Sequence, residues 1–156
     1  MSSIEFLEAF VDRGDGRALE RAMVAEMDAL YGRDGGIDAP DMPLAGAEQL
    51  NPPNGRFVVG YQRGVAVCCG GIKRLEPGVC EFKRMYVVPA ARGKGVARAL
   101  LSALEGRARD LGFTVARLDT GPSQPAARHL YESAGYAAIR NFNANPMATF
   151  FGEKRL

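Results

Sequence analysis

A short glycine-rich segment with basic residues is the part of the sequence whose composition most directly suggests chemistry. Glycines let a backbone turn sharply with several N–H groups directed at one point, and a helix that begins there adds the positive end of its dipole. The segment precedes a helical pattern, and Arg98 follows it as a further cation. Such a loop is suited to bind a pyrophosphate or a similar small polyanion. Its members are Arg92, Gly93, Lys94, Gly95, Val96 and Ala97.

Three familiar anion-binding loops do not fit these residues. A P-loop requires lysine after its last glycine, whereas Gly95 is followed by Val96. The dinucleotide-binding pattern requires a glycine at the position that Arg98 occupies. A kinase loop would be accompanied by HRD and DFG elements, which the sequence lacks. A purely structural role, in which the glycines only turn the chain between two elements, stays open at this point.

The loop must be positioned by the elements on either side of it. Residues 80–88 are rich in apolar and β-branched side chains and end at Pro89, which predicts a strand. Residues 93–111 carry apolar side chains at helical spacing, Leu111 among them, and Gly112 follows, which predicts a helix. The loop is therefore expected at a strand-to-helix junction.

The remaining elements follow from the same kind of pattern. We predict a helix that follows Asp15 and ends at Gly32, with an apolar stripe of Leu19, Met23, Met27 and Leu30. Residues 33–55 are rich in glycine and proline and predict a long irregular loop, which we expect to form a lid on the substrate side. Another helix is predicted over residues 124–134, and further strands over 4–9, 56–61, 65–75, 115–120, 136–140 and 147–154. Antiparallel strands that precede αβ units predict an α+β fold on a central sheet.

Composition narrows the class of protein. The 156 residues fit one domain, spanning 1–156, with 47% apolar and 24% charged side chains. No apolar run is long enough to span a membrane, and the first residues do not resemble a signal peptide. One histidine and three cysteines, two of them adjacent, offer little for a metal site or a disulfide framework. We therefore expect a cytoplasmic protein that uses no metal and does not associate with a membrane.

The net charge of +2 is unevenly distributed along the chain. Residues 1–82 hold 8 basic and 13 acidic side chains, a net of −5, whereas residues 83–128 hold 9 basic and 3 acidic ones, a net of +6. The basic residues surround glycines and are not interleaved with aromatic side chains, so a nucleic acid is not expected as the partner. A small polyanionic ligand fits this local positive charge better.

The flanks of the loop resemble those of a known family. The segments CEFKRMYVVPAARGKGVARALLSALEGRARDLG and ARLDTGPSQPAARHLYESAGY are similar to the GNAT superfamily of N-acetyltransferases, whose acetyl-CoA loop reads [QR]xxGx[GA]. Arg92, Gly95 and Ala97 satisfy that pattern. The resemblance is tight over residues 81–136, looser over 56–75 and weak over 2–54. It implies a three-layer GNAT-like fold in which helices flank a mixed, mostly antiparallel sheet.

The resemblance also implies where acetyl-CoA binds. The amides of residues 92–97 would hold its pyrophosphate, and the strand over 81–88 would part from the strand over 115–120 to leave a slot for pantetheine. In that slot Met85 would supply the amide that stabilises the thioester oxyanion. Arg98, beside the loop, is also expected to bind the cofactor. The other residues expected to bind it are Tyr86, Val87, Gln124, Ala126 and Tyr131.

Two side chains are candidates for proton transfer by the same resemblance. Glu81 lies 11 residues before Arg92, where some family members carry a general base, and burial would raise the pKa of such a carboxyl. A base that acts through water, or a salt-bridge partner for Lys83, remains an alternative for Glu81. Tyr131 matches the tyrosine that protonates the leaving thiolate, with packing on the sheet as its alternative role.

The predicted function is therefore transfer of an acetyl group from acetyl-CoA to a primary amine by direct attack in a ternary complex. The acceptor is not named by the sequence; Tyr31, Tyr86, Phe142 and Asn143 are candidates to line its pocket, and the acidic first half favours a cationic amine. The alternative function is not enzymatic: the chain would be a module that binds acyl-CoA without turnover. A homodimer formed through the strand over 147–154 is a further possibility.

Overall fold

The structure of the chain is a computed structural model that describes residues 3–32 and 36–156. The helices are α1 (Gly14–Tyr31), α2 (Ala47–Leu50), α3 (Val96–Asp110) and α4 (Pro125–Ser133). The strands are β1 (Glu5–Ala9), β2 (Gly55–Gln62), β3 (Val65–Glu76), β4 (Val79–Val87), β5 (Val115–Thr120), β6 (Ala137–Ala138) and β7 (Phe150–Arg155).

All seven strands of the described chain form one mixed sheet in the order β1-β2-β3-β4-β5-β7-β6. Neighbouring strands are antiparallel except β4 and β5, which are joined through α3 and run parallel. The parallel pairing extends from Val79 opposite Val115 to Glu81 opposite Arg117 and, within the described residues, goes no further. The predicted α+β fold and the parting of these two strands are both confirmed.

Each face of the sheet is covered by its own hydrophobic cluster. Val58 of β2 faces the cluster under α3, which contains the fully buried Leu100 and Leu104. Its neighbours Phe57 and Val59 face the cluster under α1 and α2. This alternation is the period-two pattern of a strand that is buried on both faces. The layers are therefore helix, sheet and helix.

Several predicted boundaries were wrong for identifiable reasons. Helix α3 begins at Val96 and not at residue 93, because Gly93 and Gly95 have φ of 76° and 80°, which a right-handed helix cannot contain. The predicted irregular loop contains α2, and its residues 33–35 lie outside the described chain. Leu30 and Leu111, predicted on apolar stripes, are 48% and 41% exposed.

The C-terminal part of the sheet also differs from the prediction. Strand β6 is limited to two residues, not the five of 136–140, and β7 begins at Phe150 and not at residue 147. Strand β7 pairs with β5 on one side and with β6 on the other, so the edges of the sheet are β1 and β6. Strand β6 pairs with Gly152 and Glu153 of β7 only, so part of the edge predicted for a dimer contact over residues 147–154 is occupied within the chain, and the homodimer stays a prediction.

The three cysteines are buried and unbridged. In the described ranges, no helix combines the length and apolar character needed to cross a bilayer.

Candidate active site

A cavity of about 770 Å³ opens where β4 and β5 part. Its volume lies within the range typical of small-molecule sites, about 300–1,000 Å³. One wall is formed by α1 and the loop before α2, another by β4 and the glycine loop, and the third by the end of β5 and by α4. The cavity therefore gathers segments from both halves of the chain.

The glycine loop forms an open backbone turn at the first turn of α3. Gly93 and Gly95 adopt left-handed φ angles, and a Cβ built on either would have no heavy atom of the described chain within 4 Å. Both glycines line the cavity, as do Val96 and Ala97. The loop thus presents backbone to open space beside a helix N-terminus, which is the arrangement that binds phosphate groups.

The three cations of the loop are placed differently. The guanidinium of Arg92 donates to Glu26 of α1 at 2.7 and 2.9 Å, while its Nε donates to the Val87 carbonyl at 2.9 Å. Arg98 donates to Ser133 of α4 at 2.6 Å, and both arginines line the cavity. Lys94 is not among the lining residues, and its Nζ points back to the Ala90 carbonyl at 3.3 Å.

Strand β4 carries a bulge at the level of the cavity. Lys83 lies opposite Gly71 and Tyr86 opposite Cys69, so two residues of β4, Arg84 and Met85, face a single residue of β3. Arg84 has φ of 57°, which marks the irregularity. Bulges often re-aim a backbone group beside an active site. Met85, Tyr86 and Val87 all line the cavity, on the side of β4 that has lost its β5 partner.

The single β3 residue opposite the bulge is Gly70. A Cβ there would lie 2.8 Å from Leu104 and 3.4 Å from Met85, so only glycine lets the bulge pack against α3 without displacement. Arg84 secures the other side of the bulge, because its guanidinium donates to Asp38 at 3.1 Å and to the Ala45 carbonyl at 3.4 Å. Burial lowers the pKa of this guanidinium, and Glu20 and Asp38 oppose that shift. The loop before α2 is thereby attached to β4.

Tyr131 of α4 is buried and lines the same cavity. Its hydroxyl donates to the Met85 sulfur at 3.8 Å. Burial, and then the negative charge of Asp119, raise the pKa of this phenol. A phenol with a raised pKa holds its proton at neutral pH and is available as a donor.

Gln124 and Ala126, predicted to bind the cofactor, line the cavity near the start of α4, and so does Tyr31. The Gln124 carbonyl oxygen accepts from Thr120 and from the Tyr31 hydroxyl, both at 3.4 Å. The Tyr31 hydroxyl also accepts from the Ser123 amide at 3.2 Å. The end of α1 is thus connected to the loop between β5 and α4. Tyr86, the other predicted tyrosine, lies beneath the Arg92 guanidinium at 5.6 Å.

Glu81 is placed differently from the prediction. It is fully buried and is not a lining residue, and its Oε2 accepts from Lys83 Nζ at 3.1 Å and from Asn143 Nδ2 at 2.7 Å. Its Oε1 is buried with no hydrogen-bond partner among the described residues. Burial raises the pKa of this carboxyl, against the opposing effect of Lys83. Glu81 therefore forms the salt bridge with Lys83 that the sequence analysis gave as its alternative role, and it is not on the cavity wall.

Phe142 and Asn143, predicted on the acceptor side, are not on the cavity wall either. Phe142 packs edge-on against Phe151 at 6.0 Å and lies beneath the Arg117 guanidinium. Asn143 spans two carboxylates, since its Nδ2 lies 2.7 Å from Glu81 Oε2 and 2.7 Å from Asp119 Oδ2. Asn143 therefore supports Asp119 from outside the wall, whereas Phe142 packs against β7.

Asp119 and Asn145 are among the wall residues that the sequence analysis did not name as site candidates. Asn145 Nδ2 donates to Asp119 Oδ2 at 2.9 Å. Asp119 could have been found, because Ala116 and Leu118 face the α3 cluster and alternation sends Asp119 to the other face. Asn145 gave no comparable signal, because it lies in a turn whose position no periodicity predicts. The described residues contain no group of three metal-ligating side chains.

Comparison with known proteins shows the family of the chain. The sequence model of the acetyltransferase (GNAT) family matches residues 12–136, and the chain belongs to that family. Because it belongs to this family, the chain is an acyltransferase. A curated relative named IAA acetyltransferase, from Azospirillum brasilense, is 39% identical over 60% of this chain and 62% of its own length. The uncharacterized N-acetyltransferase YjgM of Escherichia coli is 35% identical over 80% of this chain and 78% of its own.

Solved structures show the same fold. A Klebsiella pneumoniae protein described as an acyl-CoA N-acyltransferase superposes with a TM-score of 0.78 at 29% identity, and the match covers 98% of this chain and 97% of that one.

Proposed function

We propose that this chain transfers the acetyl group of acetyl-CoA to a primary amine by direct attack in a ternary complex. One observation carries the proposal: the open glycine loop, the bulged strand β4 and the Tyr131 phenol all line one cavity. A loop for a diphosphate, a strand edge for an amide chain and a proton donor are the parts that such a transfer needs. Membership of the acetyltransferase family supports the same activity.

The cavity fits acetyl-CoA in two respects. The glycine loop offers amides and the N-terminus of α3 to the diphosphate, and the Arg92 and Arg98 side chains stand beside it. Beyond Glu81, the edge of β4 that faces the cavity has no β5 partner in the described chain, so backbone groups on that edge of the stretch from Met85 to Val87 can pair with an extended amide chain such as pantetheine. The Val87 carbonyl already accepts from Arg92 Nε at 2.9 Å. We infer that these residues, with Gln124 and Ala126, hold the coenzyme.

Acetyl-CoA supplies a thioester, which makes the acetyl carbon open to attack. Met85 lies in the bulge and lines the cavity, and we infer that its backbone amide would donate to the thioester oxygen as negative charge develops. One such donor is typically worth about 2.7–4 kcal/mol in the transition state. Tyr131 would donate its phenolic proton to the departing sulfur, because its hydroxyl lies 3.8 Å from the Met85 sulfur and faces the same space.

The test is release of the CoA thiol from acetyl-CoA, measured with 4,4′-dithiodipyridine against a panel of benzylamine, putrescine, L-lysine, kanamycin and a peptide with a free N-terminus. We expect amine-dependent release by the wild-type protein. Tight binding of acetyl-CoA without release by any of these amines would support the acyl-CoA-binding module instead.

Other sequence-based expectations stay predictions: a single domain over residues 1–156, a homodimer, a cytoplasmic location and a cationic acceptor.

A further inference from the structure

We propose that Asp119 is the residue that binds the ammonium group of the acceptor and takes its proton. The proposal rests on the function proposed above and assigns the acceptor end of the same cavity. It also defines the acceptor as an amine that arrives protonated, and it gives Asp119 the role that the sequence suggested for Glu81.

The position of Asp119 is the first reason. Its strand pairs with β4 up to Arg117 opposite Glu81, so Asp119 is two residues beyond the point where the strands part. It lines the cavity together with Met85 and Tyr131, the two groups proposed to act on the thioester. After burial, the negative charge of Asp119 is the second cause of the raised pKa of Tyr131, as expected for two groups on one cavity wall. A carboxylate at the mouth of the slot is where an incoming amine would meet the acetyl group.

The turn over residues 141–147, the asparagine turn, holds this carboxylate from one side. Asn143 and Asn145 both donate side-chain amides to Asp119 Oδ2, at 2.7 and 2.9 Å. Asn145 is 6% exposed, and its side-chain oxygen Oδ1 accepts from the backbone amides of Met147 and Ala148, which fixes its rotamer. Two donors on Oδ2 orient the carboxylate. Oδ1 forms an ion pair with Lys83 Nζ, another residue of the cavity wall, but at 3.9 Å this contact is too long for a hydrogen bond, so Oδ1 is the oxygen that a ligand ammonium can approach.

The turn itself is built by asparagines that bond to one another. The Asn141 side chain accepts from the Asn143 and Ala144 amides at 3.2 and 2.9 Å and donates to the Asn145 carbonyl at 3.1 Å. The side-chain oxygen Oδ1 of Asn143 accepts from the backbone amide of Asn145 at 3.0 Å. A turn this constrained, with two of its side chains on the Asp119 carboxylate, is the support that a precisely aimed side chain requires.

Glu81 does not compete for this role. It is fully buried behind Lys83 and Asn143, and it is not on the cavity wall. A proton leaving an amine in the cavity therefore meets Asp119 before it can reach Glu81. Asp119 acts on the substrate in this account, whereas Asn143 and Asn145 are positioning residues.

The step balances as follows. Asp119 accepts one proton from the ammonium and later releases it to solvent, which leaves a neutral amine with a lone pair. The nitrogen forms a bond to the acetyl carbon while the bond between that carbon and sulfur breaks. Tyr131 gives its proton to the sulfur and recovers one from the nitrogen. The products are an acetamide, a free thiol and one proton.

The experiment compares the wild-type protein with Asp119→Asn, which removes the charge at nearly constant size. The control is Asp110→Asn, which makes the same charge change at an exposed residue at the end of α3. With the best amine of the panel, Asp119→Asn should lower kcat/KM by about 100-fold or more, in the range of general-base catalysis. Its Kd for acetyl-CoA and its thermal midpoint should stay near those of the control.

A second comparison separates this role from a merely structural one. Benzylamine is protonated near neutral pH, whereas aniline of similar shape is neutral and needs no proton removed before attack. The loss caused by Asp119→Asn should therefore be at least about tenfold larger for benzylamine than for aniline. Equal losses for the two amines would overturn the proposal, as would wild-type activity in Asp119→Asn.

Asn143→Ala gives a measurement that does not depend on how well Asp119→Asn folds. Loss of one of the two donors should raise the KM for the amine several-fold and leave the Kd for acetyl-CoA unchanged. An unchanged KM would count against the proposed positioning. If the wild-type protein itself released no thiol with any amine, the proposed function would fail first, which distinguishes that failure from a failure of the Asp119 assignment alone.

Discussion

The substitution Gly95→Ala separates the two roles that a glycine can have in the loop before α3. Gly95 has φ of 80°, and a Cβ there meets no heavy atom of the described chain within 4 Å. The added methyl group therefore causes no clash, and its cost to folding is the left-handed backbone alone, about 1–2 kcal/mol. At about 2–4 °C per kcal/mol for a chain of this size, the thermal midpoint should fall by only a few degrees.

The effect on ligand binding should be larger than the effect on stability. The methyl group would occupy the open space at the N-terminus of α3 where the diphosphate is proposed to lie. Loss of close approach to the loop amides should weaken acetyl-CoA binding at least tenfold, which corresponds to about 1.4 kcal/mol. Isothermal titration with acetyl-CoA measures the affinity, and a thermal melt without ligand measures the stability.

Gly64 provides the matched control. It lies in the turn between β2 and β3, away from the cavity wall, with φ of 76° and open space around a built Cβ. Gly64→Ala should therefore lower stability by the same amount and leave the affinity for acetyl-CoA unchanged. If Gly95→Ala bound acetyl-CoA as tightly as Gly64→Ala, the loop would be a structural turn and the anion-site reasoning would be refuted.

Three further predictions concern the acid, the core and the thiols. Tyr131→Phe should lower kcat by about 100-fold or more, because the variant lacks the proposed proton donor. The Kd for acetyl-CoA should change less than twofold, because the hydroxyl makes only a long contact of 3.8 Å with the Met85 sulfur. Unchanged turnover in steady-state kinetics would show that Tyr131 is not the acid. Leu104→Ala, at a fully buried position under the sheet, should lower the free energy of unfolding by about 2–5 kcal/mol in urea titrations, and a loss below 1 kcal/mol would contradict the packing. Burial raises the pKa of the Cys68 thiol from 9.0 to about 11 and that of the Cys80 thiol to about 12. Because the thiols of the unfolded chain lose their protons at lower pH, the free energy of unfolding should fall as pH rises from about 9 to 12. Urea midpoints of the wild-type protein that stay level across that window would contradict this prediction.

The sequence predicts the frame of the site well because periodic burial and glycine placement are local signals. The strand before the loop, the helix after it and the parting of β4 from β5 all follow from patterns over residues 80–120 and from the family resemblance. Gly93 and Gly95 also show the limit of periodicity, because apolar spacing extended α3 through two residues whose φ angles exclude a helix.

The acceptor end was harder to predict because its geometry depends on contacts between residues far apart in the chain. Asn143 was expected to line the pocket, yet it spans Glu81 and Asp119, which are 62 and 24 residues away. Glu81 lies at the sequence position where some family members carry a general base, yet it is fully buried, as a structural carboxylate would be. Which of two carboxylates faces a cavity is decided by the strand split and by the turn over residues 141–147, and neither is a local property of the sequence.

Isothermal titration of the wild-type protein with acetyl-CoA, followed by thiol release with the amine panel in the same buffer, tests the central claim most directly. Our account predicts binding of one acetyl-CoA per chain and release of CoA that requires an amine. Absence of any binding would contradict the assignment of the cavity between β4 and β5, and with it the proposed acetyl transfer.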